Sequence, residues 1–148
     1  VFLTSVKDIC FKSSFHSCMI SSTFDKMGMI EDIEDTYFSS FDIGIYKDNI
    51  FTNSDSFGVE VYQPLRSERA NINFSLPAGR TKDRQIVFKN LNLDLTPSGR
   101  QINTQLVYSA KSSNFSFFGK IGMVSNEFHQ KENRVRPYFQ FDVELSLE

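Results

Sequence analysis

Along most of this chain apolar and polar residues take turns. In 139–148 the odd positions are Phe139, Phe141, Val143, Leu145 and Leu147, and the even ones Gln140, Asp142, Glu144, Ser146 and Glu148. Side chains of a β-strand point to opposite faces with period two, so this stretch reads as a strand with one apolar and one polar wall. Ile72, Phe74 and Leu76 alternate with Asn71, Asn73 and Ser75, and Leu91, Leu93 and Leu95 with Asn90, Asn92 and Asp94. Ile102, Leu106 and Tyr108 oppose Gln101, Asn103 and Gln105, while Phe115, Phe117, Ile121 and Met123 oppose Ser116 and Lys120. Earlier, Phe41, Ile43 and Ile45 oppose Asp42 and Gly44, and Val59 and Val61 oppose Glu60. No segment sustains a helical period.

Turn chemistry falls between these runs. "LPAGRTKDRQ" (76–85) carries Pro77 and Gly79 before a charged tip, and "TPSGRQ" (96–101) places Pro97 and Gly99 as a tight turn wants them. "AKSSN" (110–114) is a short polar link, and "SNEFHQKENRVRP" (125–137) is a longer charged loop. The strands so bounded, 85–95, 100–109, 114–124 and 137–148, are each about 10 to 12 residues, against about 5 or 6 for an ordinary strand. The expectation is an all-β, antiparallel meander, least defined over 1–40.

What the apolar wall touches is a separate question. Polar positions of the middle strands are mostly Asn, Gln, Ser, Thr and Asp, which suits a crowded hydrogen-bonding lumen more than a water-washed outer face. A tilted membrane strand needs about 9 to 11 residues, with short turns at one end and long loops at the other. Trp is absent, but sixteen Phe and five Tyr are available to an interfacial belt. The pattern favours part of an outer-membrane β-barrel over a soluble secreted β-sandwich acting in binding or adhesion.

The formal charge of −2 gives no reason to expect nucleic acid. No apolar run reaches the roughly 20 residues of a spanning helix. The chain starts at Val1 without a signal sequence and reads as a fragment or processed product. Cys10 and Cys18, if on one strand, stand about 26 Å apart and read as two unpaired thiols. No nucleophile elbow, zinc-protease motif or phosphate loop occurs, so no catalytic, cofactor-binding or metal residue is expected. His129 reads as a solvated loop histidine, and Asp48, Asn53 and Asp55 as a polar turn that misses calcium-loop spacing.

"FGVEVYQPLR" (57–66), "NFSLPAGRTKDRQIVF" (73–88) and "LDLTPSGRQINTQLVYS" (93–109), in that order, resemble the C-terminal translocator barrel of subtilisin-like serine protease autotransporters. The matching positions are Gln63, Pro64, Leu65 and Arg66; Leu76, Pro77, Gly79 and Arg80; and Pro97, Ser98, Gly99, Arg100 and Tyr108. The likeness is best over 57–148. Ser67 stands where the family has Val, and the chain closes on Leu147-Glu148 where such barrels close on an aromatic residue.

The resemblance implies that 1–148 is the C-terminal part of the barrel, about eight of about twelve strands. It implies an anchor in the outer membrane of a Gram-negative bacterium that helps secrete a covalently linked upstream passenger. Its partners would be outer-membrane lipid, the barrel assembly machinery and that passenger. Arg66, Arg80 and Arg100 would line the lumen beside Glu60, Glu68 or Asp94, or sit as surface arginines near turns.

Overall fold

The alternating runs are extended chain. The computed structural model describes residues 2–6, 8–21, 28–132 and 134–145. Its strands are β1 (Phe2–Val6), β2 (Ile9–Ile20), β3 (Ile30–Ile33), β4 (Thr36–Asp48), β5 (Asp55–Arg69), β6 (Asn71–Arg80), β7 (Ile86–Asp94), β8 (Ile102–Lys111), β9 (Phe115–Ser125) and β10 (Val135–Leu145). The protein is all-β and antiparallel. Residues 146–148, expected to extend the last strand, lie outside the described residues.

The strands form a seven-stranded sheet ordered β1-β2-β4-β5-β8-β9-β10 and a three-stranded sheet ordered β3-β6-β7. Sheet order follows chain order, as in a meander, with two departures into the smaller sheet. Two compact units result: Val1–His16, Ser40–Arg66 and Ser98–Glu148 form one, and Ser17–Ser39 with Ser67–Pro97 the other. Cys10 and Cys18 both lie on β2 as free thiols, as the sequence leads one to expect.

In the first unit the register sorts the side chains cleanly. Val59 pairs with Leu106, Leu106 with Ile121, and Ile121 with Phe139, so one wall is apolar across four strands. On the opposite wall Glu60 pairs with Gln105, Gln105 with Gly122, and Gly122 with Tyr138. Burial is the reverse of a soluble sheet, whose apolar face packs inward. The buried polar side chains are Asp55, Gln63, Asn103, Gln105 and His129, whereas Ala70 and Val107 are the only buried apolar ones among the described residues. Phe139 is 74% exposed and Val143 64%.

The second unit corrects two expectations. Pro77 and Gly79 are not in the turn but inside β6, where Pro77 opposes Phe88 and Gly79 opposes Val87. Ala78 is thus the extra residue of a β-bulge, one of the few places in a sheet where a proline without an N–H is tolerated. The hairpin turn comes later, with Thr81 N–H donating to Gln85 O at 2.8 Å and Arg84 at φ 63°. Nor does 96–101 make a tight hairpin: β7 and β8 belong to different sheets, so this segment crosses from one to the other.

Candidate functional site

The polar wall of the first unit is organised around one row of side chains crossing five strands. Glu60 on β5 accepts hydrogen bonds from the Tyr46 hydroxyl on β4 and from the Gln105 amide on β8. Gln105 Oε1 in turn accepts from the Tyr138 hydroxyl on β10. The strand between, β9, contributes Gly122. A β-carbon there would lie 2.6 Å from Thr104 O and 2.8 Å from both Gln105 Cβ and the Tyr138 ring. The missing side chain is the gap across which Tyr138 reaches Gln105. Tyr46 lies in the same way over Gly44 and Gly58. Lys12 on β2 adds an ion pair to Asp42 at 3.0 Å. Burying polar groups is tolerable because they satisfy one another.

Hydrogen-bonded loops pin this sheet at two of its ends. At the first, Asp55 is 3% exposed and its carboxylate accepts the backbone N–H groups of Ile50 (2.7 Å), Phe51 (2.9 Å) and Thr52 (3.1 Å). It also accepts the Tyr108 hydroxyl at 3.1 Å. Asp55 is therefore a loop organiser with its oxygens in use. At the other end three separated sequences meet. Arg66 Nε donates to Gly99 O at 2.9 Å, and Arg100 donates to Gln63 Oε1. Gly99 N–H donates to His129 O at 2.7 Å, and Lys131 N–H to Ser98 Oγ at 3.1 Å. A β-carbon on Gly99 would stand 2.7 Å from Gln130 C and Lys131 N, so glycine is required by the close approach of two backbones.

His129 is the residue sequence reasoning misplaced. It is buried, not solvated. Its Nδ1 accepts from Gln101 N–H at 3.1 Å, and its Nε2 lies 3.1 Å from Leu65 O. An imidazole that accepts at Nδ1 carries its proton on Nε2, so both nitrogens are committed to main chain. It joins β5 to the segment before β8, a role no local pattern of the 125–137 loop could reveal.

The motif positions divide accordingly. Gln63, Leu65, Arg66, Ser98, Gly99 and Arg100 come together at this junction. Tyr108 stands at the Asp55 loop, while Pro77, Gly79 and Arg80 lie at the exposed end of β6, in the second unit. Among its interactions Arg66 donates to a carbonyl, and among its own Arg100 donates to an amide oxygen. The acidic residues also accept hydrogen bonds: Glu60 from Tyr46 and Gln105, Glu68 from Ser39, and Asp94 from Thr96 N–H at 2.8 Å.

The apolar wall has its own relief. Gly119, between Tyr108 and Phe141 in register, leaves a recess of about 300 Å³ bordered by Phe57, Tyr108, Phe117, Ile121 and Phe141. Among the described residues no group of three His, Cys, Asp or Glu side chains could hold a metal ion. No helix of the described chain is long and apolar enough to cross a membrane, which bears only on helical spans.

No protein-family profile, curated protein or solved structure matches this chain.

Proposed function

We propose that this chain is part of a membrane-embedded β-barrel of the translocator kind, anchored in the outer membrane of a Gram-negative bacterium and helping to export an upstream passenger. One observation carries the membrane reading: polar side chains are buried while the apolar wall is bare. Phe139, Phe141, Val143 and Leu145 on β10, Ile121 and Met123 on β9, Leu106 on β8 and Val59 on β5 are all exposed. In water so broad an apolar face is a liability, whereas in a bilayer it meets lipid tails. Strand lengths support the same reading: β8, β9 and β10 have 10, 11 and 11 residues, against about 9 to 11 for a tilted span.

The translocator part rests on the motif resemblance. It gains support from Gln63–Arg66 and Ser98–Arg100 being joined by hydrogen bonds, as structural motifs should be. In this role the polar wall offers hydrogen-bonding groups to a passing extended chain, and no bond is made or broken by these residues. The partners proposed are lipid, the assembly machinery and the passenger.

The test is the behaviour of the whole chain with and without detergent. Cooperatively melting β-structure is expected in micelles, and aggregation in plain buffer. A monodisperse, cooperatively folded protein in plain buffer would overturn the membrane reading in favour of a soluble binding domain.

A further inference from the structure

The apolar wall of the first unit carries one charge. Its rows are the odd positions of 41–47, 57–61, 115–123 and 135–145 and the even positions of 102–110, and among these Lys47 is the only charged residue. Lys47 stands one residue before the end of β4 and is exposed. Asn49 N–H donating to Asp55 O at 2.8 Å, together with the Tyr46 ring over Gly58, sets it opposite Phe57. Phe57 continues in register to Tyr108, Gly119 and Phe141, so the lysine stands at the level of the recess that Gly119 leaves. We propose that this recess takes an acyl chain of an anionic glycerophospholipid whose phosphate pairs with Lys47. The inference rests on the membrane reading and names a particular lipid partner for the apolar wall.

The order of side chains along the strands matches that occupant. Phe51, Tyr108, Phe117 and Phe141 touch in series, with ring centroids 6.0, 6.0 and 6.4 Å apart, on the side toward the Asp55 loop. Aromatic rings of this kind suit the boundary between lipid and water, and the Tyr108 hydroxyl is bonded to Asp55 in that loop. Leu106 and Ile121 border the recess on the side away from the loop, where an acyl chain runs on from its glycerol. A lysine near a strand end lays its stem along apolar surface and extends its ammonium to the headgroups. Lys120 also borders the recess, but by alternation it belongs to the opposite wall.

The connections at this end are short, residues 49–54 between β4 and β5 and residues 112–114 between β8 and β9. In outer-membrane barrels the short turns face the periplasm, where the leaflet is phospholipid and not lipopolysaccharide.

The chain has no Trp, so one introduced Trp is a lone reporter. Phe139→Trp places it beside Phe141, whose ring centroid is 5.8 Å from that of Phe139. Met123→Trp places it four residues along β9 from Gly119, away from the recess. Each chain is folded in zwitterionic micelles holding phosphatidylglycerol or phosphatidylcholine with brominated acyl chains, which quench nearby Trp. At Phe139→Trp, half-quenching should need about fivefold less phosphatidylglycerol than phosphatidylcholine, the advantage one lysine gives near an anionic headgroup. At Met123→Trp the two lipids should quench alike.

Added to Phe139→Trp, Lys47→Gln should abolish the preference and Lys47→Arg should keep it. Gly119→Leu, which fills the recess between the Phe117 and Phe141 rings, should raise the amount of either lipid needed. Equal preference at both reporters, a preference that survives Lys47→Gln, or quenching indifferent to Gly119→Leu in folded protein overturns the proposal. Any of these, in a chain that folds in micelles and aggregates in plain buffer, leaves the membrane reading standing. A chain that is folded and monodisperse in plain buffer removes both.

Discussion

Two hairpins of this protein carry nearly the same alternation and come out differently buried. In β6–β7 every residue of β7 is exposed, Asn90 and Asn92 as much as Leu91 and Leu93. In β8–β9 the apolar side is also bare, with Leu106 43% exposed, but Asn103 and Gln105 are buried. The apolar walls agree and the polar walls do not. What separates them is what stands opposite the amides. Gln105 has Glu60 on one side and, across the gap left by Gly122, Tyr138 on the other. On the polar side of β7, Asn92 is bonded to Asn73 at 2.7 Å, and that pair is exposed. Alternation makes a strand; a buried polar wall also needs long side chains converging over a glycine.

The sharpest way to probe the shared half of this comparison is to charge an apolar wall. If Val143 faces lipid near the middle of its strand, Val143→Arg should cost about 2–4 kcal/mol of folding free energy in a bilayer. Asp142→Arg, one residue back on the polar wall, should be largely spared. Denaturant titration in lipid vesicles measures both, and equal losses at the two positions would contradict an apolar wall turned to lipid.

The unshared half is probed by a pair of glycines. Gly122→Val drives a side chain into Thr104 O, Gln105 and the Tyr138 ring, two of those contacts lying on or next to the main chain, which cannot swing away. The expected cost is at the upper end of the about 1–3 kcal/mol typical of overpacking. A β-carbon on Gly79 meets nothing within 4 Å, so Gly79→Ala should change the melting midpoint little. Comparable losses would mean that the polar row is not what distinguishes the hairpins.

The strands themselves were readable because period two is a local signal. The stretches 85–95, 100–109 and 114–124 became Ile86–Asp94, Ile102–Lys111 and Phe115–Ser125. Their division between two sheets was not readable, since β7 and β8 alternate alike. Pro77 and Gly79 misled because a β-bulge uses the same residue types as a turn. Gln63, Arg66, Gly99 and Arg100 were singled out as motif positions, but that they meet was not evident. His129 escaped altogether, because its burial depends on Leu65 and Gln101, 64 and 28 residues away. The Tyr46–Glu60–Gln105–Tyr138 row needed the pairing register before its parity could be used.

The smallest effect expected lies in the second unit, at the bend between β3 and β4. Glu34 accepts a hydrogen bond from Asn71 Nδ2 at 3.0 Å and pairs with Arg69 Nη2 at 2.8 Å. The Asn71 bond and then the Arg69 guanidinium hold the Glu34 carboxyl below its ordinary value of 4.5. A carboxyl whose folded-state value is depressed binds protons more readily when unfolded, so its contribution is present above about 4.5 and fades as pH falls through the lower folded value. Because the pair is solvent-washed, the contribution is small and sensitive to salt. Between pH 6 and pH 3, the melting midpoint of the wild type should fall toward that of Glu34→Gln, the gap closing only below about pH 4.5. Added salt at pH 6 should narrow the same gap. A gap that persists unchanged at pH 3 would mean that Glu34 steadies the β3–β6 pairing by shape and not by charge.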